Sequence, residues 1–127
     1  VYYQEFKAFV ASRPLLIEFP GALGVVYIER VSYEAVPQWE AELRAQGALG
    51  FGVRNPRAGE ENWIAKFIEP EVPNKAALGF EVGHDPARRE AMQRAMHSGA
   101  PAISARVQLV QDQRNLPGFV YFLPVYR

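Results

Sequence analysis

Tyr3, Phe6, Phe9 and Val10 recur at helical spacing near the start of the chain, with Gln4, Glu5 and Lys7 on the opposite side. The pattern predicts a short amphipathic helix over residues 2–12, stopped near Pro14. After the turn at Pro20 and Gly21, residues 23–31 are dense in β-branched and aromatic types (Val25, Val26, Tyr27, Ile28, Val31), which predicts a strand. Ser32 is placed to cap a second helix over 34–46. In it Trp39 and Leu43 stand four apart on one face, Glu40, Glu42 and Arg44 form the wet face, and Gly47 follows the end.

The glycine-interrupted run Gly50, Phe51, Gly52, Val53 leads through Asn55, Pro56 and Gly59 into apolar residues 63–68, a pattern that predicts a hairpin. Beyond Pro70 and Pro73, residues 77–82 form a third strand candidate. Asp85 followed by Pro86 reads as an N-cap with proline in the first helical position, opening a helix that runs to His97 and Ser98 and stops at Gly99. Two strands, 102–110 and 118–126, flank a polar loop. Helices interspersed among strands that end in hairpins define an α+β fold, with a mainly antiparallel sheet and helices on one face.

Composition narrows the choice of function. At 127 residues the chain suits one domain. Fourteen basic residues balance fourteen acidic ones, so there is no concentrated positive field for nucleic acid or an anionic membrane surface. The absence of cysteine excludes disulfides, thiolate nucleophiles and Cys-ligated zinc. No apolar run approaches the roughly 20 residues that span a bilayer. A start at Val1 and an end directly after an apolar strand lead us to expect an excised piece, whose flanks could contain membrane helices.

Candidate chemistry is sparse. His84 and Asp85 are adjacent and point apart, and His97 has no second ligand at helical spacing, so no metal is assigned. Glu69 and Glu71 would share a strand face, but Pro70 between them favours solvated loop carboxylates. Ser12, Ser32, Ser98 and Ser104 lie in no nucleophile elbow, and the glycines at 47, 50 and 52 form no phosphate cradle. We therefore assign no catalytic residue and no cofactor. Small-ligand pockets are largely apolar with a few polar anchors. On that basis Tyr27, Phe67, Phe119 and Tyr121 are candidate lining residues, the other strand aromatics being core. Arg88, Arg89 and Arg94 are read as a solvated helix face. Ala102, Ser104 and Arg106 share one strand parity; on a concave face, Ser104 and Arg106 offer a hydroxyl and a cation to an anionic or carbonyl ligand. The other reading puts Arg106 on the wet face.

The run Gly24-Val25-Val26-Tyr27-Ile28-Glu29-Arg30-Val31 is followed by Ile68-Glu69-Pro70, Asn74 and Ala77-Leu78-Gly79-Phe80-Glu81. Then come Pro86-Ala87-Arg88-Arg89-Glu90-Ala91, His97-Ser98-Gly99 and Pro124-Val125-Tyr126. In this order and spacing, over nearly the whole chain, the sequence resembles the CHASE domain, an extracellular sensory module associated with cyclases and histidine kinases. The resemblance implies a PAS-like, five-stranded sheet. Residues 1–14 would be the end of a stalk helix, and residues 15–127 the membrane-distal, ligand-binding subdomain, with the proximal subdomain absent. It also implies a periplasmic or extracellular location in a bacterial-type receptor with a histidine kinase or diguanylate cyclase output. An unidentified small-molecule ligand and a homodimer are the implied partners. Plant cytokinin receptors share the domain: a ligand-anchoring threonine there falls at Ser104, whereas their adenine-gripping aspartate falls near residues 72–74, where this chain has no acid. The missing acid speaks against an adenine-type cytokinin and leaves a different small molecule open. The alternative is a ligand-free dimerisation or protein-interaction module, which predicts an exposed apolar patch at Phe6, Phe9 and Val10.

Overall fold

The computed structural model describes residues 3–12, 25–69 and 75–100, with the backbone of 102–103, 107–108, 117–118 and 121–122. The chain is α+β, and residues 1–81 and 82–127 form two compact units.

The first unit is built on an antiparallel ribbon of β1 (Val25–Ser32) and β2 (Glu61–Glu69), with Val25 opposite Glu69 and Ser32 opposite Glu61. Tyr27 pairs with Phe67 but Ile28 pairs with Ala65, so Lys66 is an extra residue, a β-bulge. Opposed residues share a face. One face therefore carries Tyr27, Glu29 and Val31 with Phe67, Ile64 and Asn62; the other carries Ile28 and Arg30 with Ala65 and Trp63. Residues 62–68 are all buried, the mark of a strand covered on both sides.

The partner of β2 is thus β1, not the glycine-interrupted segment before it. Residues 50–53 carry no strand, and Phe51 is turned into the core. The strand expected over 77–82 is a 3-10 turn (Lys75–Ala77) followed by isolated bridges at Phe80 and Glu81. Gly79 is the reason. Its φ of 79° breaks an extended run, and a Cβ there would strike the carbonyl oxygen of Gly52. The segment still pairs with the second edge of β2, through Gly79 N–H to Ala65 O (2.8 Å) and Ala65 N–H to Phe80 O (3.1 Å). Arg54 clamps it: its guanidinium donates to the carbonyls of Ala76 and Leu78 and lies 5.7 Å from the centre of the Phe80 ring.

Two helices cover the Tyr27 face, α1 (Tyr3–Ala11) and α2 (Val36–Ala45). A 3-10 turn, Tyr33–Ala35, precedes α2, and Ser32 makes no side-chain cap bond. The helix starts later than the spacing suggests because Pro37 is tolerated only in a first turn. Leu43 and Val36 then meet Val31, Phe51 and Ile64 in the core, with Trp39 packed against it. Two buried polar groups are used structurally. Asn62 accepts from Arg57 N–H (2.5 Å) and donates to the carbonyls of Arg57 and Glu60 (3.1 Å each), closing the turn before β2. Glu81 accepts from the Trp63 N–H at 2.6 Å.

The second unit contains α3 (Pro86–Ser98). Asp85 caps it by accepting from Ala87 N–H at 2.9 Å, Pro86 opens it, and Gly99 ends it at φ 69°. Its buried stripe is Arg88, Ala91, Met92 and Ala95, so Arg88 is not on the wet face with Arg94. Burial pushes the Arg88 guanidinium below its ordinary pKa, and Asp85, 3.7 Å away, acts in the opposite sense. Two short antiparallel ladders fall in the region of the last two expected strands, one of them starting a residue early at Pro117: β3 (Ala102–Ile103) with β6 (Tyr121–Phe122), and β4 (Val107–Gln108) with β5 (Pro117–Gly118).

Candidate functional site

The structure brings Tyr27 and Phe67 together, with ring centres 6.0 Å apart. Both rings meet α1. Phe6 lies 6.1 Å from Tyr27 edge-on and 5.8 Å from Phe67 in a stack, and Tyr3 is 5.5 Å from Phe67. Phe6 is buried, so the apolar patch expected on this helix is reduced to its outer side, where Phe9 is 48% exposed. A polar tie joins the cluster to β2, the Tyr3 hydroxyl donating to Glu69 Oε1 at 2.5 Å. On this side Phe6 packs against both rings.

Ala102 and Tyr121 occupy neighbouring ladder positions: Ala102 is registered opposite Phe122, and Ile103 opposite Tyr121. Ser104, Arg106 and Phe119 lie outside the described residues.

A second constellation on the Tyr27 face is polar. Glu29 accepts from the Trp39 indole N–H through Oε2 (2.7 Å) and from the Lys66 ammonium through Oε1 (3.2 Å). Lys66 is nearly buried and stands 5.1 Å from the centre of the Phe67 ring. The bulge makes this possible, because an extra residue allows Lys66 and Phe67, neighbours in sequence, to approach the same face. Trp39 is also set edge-to-face against Phe51, at 5.6 Å and 74°. Beside this network an open groove of about 260 Å³ runs along β1 from Glu29 to Ser32, walled by Ala35, Gln38, Trp39 and Glu42.

Sequence reasoning did not single out Glu29, Lys66 or Trp39 as a group. A usable signal existed: two charges of opposite sign, each in the middle of a strongly apolar strand. The Tyr3–Glu69 pair, 66 residues apart, gives no local signal.

Among the described residues no group of three or more His, Asp or Glu side chains is arranged to hold a metal ion, and no helix is long and apolar enough to cross a membrane. The chain matches the CHASE domain family over residues 1–127 and belongs to it. CHASE is an extracellular, non-catalytic sensory domain of receptors, so a sensing role follows for this chain. No curated protein matches the chain.

Proposed function

We propose that this chain is the extracytoplasmic, small-molecule-sensing part of a membrane-bound receptor whose cytoplasmic output is a histidine kinase or diguanylate cyclase. The observation that carries the reading is the family match across the whole chain. In this proposal residues 15–127 are the membrane-distal, PAS-like subdomain with a five-stranded sheet, and α1 is the end of the stalk helix that leads into it. The ligand rests on the strand pair of the second unit, with Ala102, Ser104 and Arg106 on one strand and Phe119 and Tyr121 on the other; Tyr27 and Phe67 carry the seat of α1. The antiparallel register of Ala102 with Phe122 and of Val107 with Gly118 supports treating these strands as one surface.

A ligand shifts a receptor only by its difference in affinity for two states, typically about 1–3 kcal/mol of coupling. The receptor acts as a homodimer through its stalk helices. The test is a thermal-shift panel of purines, amino acids, carboxylates, polyamines and short peptides on the wild type, Ser104→Trp and Arg106→Ala. A saturable rise in melting temperature for one class, lost in both variants, is the expected result. A flat response across the panel would sink the small-molecule reading and favour the ligand-free interaction module.

A further inference from the structure

We propose that the groove between β1 and α2 is a binding site for a small organic cation, a primary ammonium or guanidinium compound. Beside Val31 and Ala35, its lining carries two carboxylates, Glu29 and Glu42, the Gln38 amide, the Ser32 hydroxyl and the Trp39 indole. Arg30 contributes to the lining, but its guanidinium is turned to the opposite face of the ribbon, 5.8 Å from the centre of the Trp63 ring and 3.8 Å from Glu61. Lys66 answers Glu29 from within the fold, so the carboxylate that sets the field at the mouth of the groove is the exposed Glu42. An anion is repelled there, and a neutral apolar molecule would cover acids without offering them a donor.

The protein already solves this recognition problem once. The Lys66 ammonium reaches Glu29 from within the fold, 3.2 Å from Oε1, and pairs that contact with an aromatic ring at 5.1 Å. A cation in the groove repeats the arrangement from the solvent side, with Trp39 as the ring. Glu29 is held by the Trp39 N–H, Trp39 is held by Phe51, and each carboxylate oxygen accepts more than one donor. The receiving groups are thus positioned before a ligand arrives, which lowers the ordering entropy of binding. The site shares no residue with the strand pair proposed above for the ligand, so either assignment can fail alone.

The test is an NMR titration of the 127-residue chain with 1,4-diaminobutane, following the Trp39 indole N–H resonance, assigned by its loss in Trp39→Phe. Butyrate and 1-butanol serve as anionic and neutral controls. A saturable shift with the diamine is expected, with about tenfold weaker binding in Glu42→Gln, whose side chain is exposed and outside the core. Ser104→Trp is expected to leave this titration unchanged while abolishing the thermal response described above. No saturable shift at millimolar diamine, an unchanged affinity in Glu42→Gln, or an equal response to butyrate overturns the proposal.

Discussion

The two helices on the Tyr27 face of the ribbon are held there by different means. Between β1 and β2 below and α2 above lies an aliphatic core of Val31, Val36, Leu43 and Ile64 closed by Phe51. Polar brackets fix the same helix at several points: Trp39 to Glu29 (2.7 Å), Glu40 accepting from Val53 N–H (2.7 Å) and Arg44 donating to Phe51 O (2.8 Å). By contrast α1 buries one residue, Phe6, in a cluster of rings and adds the Tyr3–Glu69 bond. Stability is not uniform across a fold, and elements with few buried contacts open first. The comparison predicts that α2 is part of the scaffold, whereas α1 is a docked element that opens while the rest stays folded.

Leu43→Ala should give the largest effect. Removing a buried leucine costs about 2–5 kcal/mol in general, and here it should lower the midpoint of a single urea transition that α2 and the ribbon share. Phe6→Ala opens a comparable space, but its loss is limited to the free energy that seats α1. The urea midpoint should move less, while the amides of residues 6–11 exchange close to the rate of a free helix. If instead the whole unit unfolds together, the distinction between the helices is lost. Tyr3→Phe keeps the ring and removes the donor to Glu69, so about 1 kcal/mol is expected, read as faster exchange in α1 with the Leu43 core unchanged. Smallest is Gln38→Ala, where only an exposed bond to Glu42 (3.3 Å) is lost. Chemical denaturation should register less than about 0.5 kcal/mol.

Much of this was legible in the sequence wherever the cause is local. The Asp85-Pro86 start and Gly99 stop of α3 stand as expected, because capping and left-handed backbone are decided within a few residues. The first long strand is recognisable from its β-branched run and the second from its large apolar residues, and Trp39 and Leu43 do turn to one side. Which strands pair is not a local property, and alternation predicted a hairpin where the chain instead joins β1 to β2 across α2. Arg88 was misread because a charge suggests water. At a stripe position its long aliphatic stem packs like an apolar residue while Asp85 answers the head group. Among the described candidate site residues, adjacent strands place Tyr27 and Phe67 in register and bring their rings together. The polar network beside them depends on a bulge, which alternation has no means to express.

That bulge also has a meaning for chain length. Ala65 pairs with Ile28 and Phe67 with Tyr27, so taking Lys66 out would leave an unbroken ladder with every other side chain on its present face. The pairing of Ala65 with Gly79 and Phe80 would stand as well, since it lies on the near side of the bulge. Most deletions within a strand scramble which residues look inward, but this one would be nearly silent to the sheet. The lysine is thus an insertion that the ladder does not require, and removing the whole residue, rather than trimming its side chain, would return the strand to regular pleat while taking the ammonium from Glu29 and Phe67.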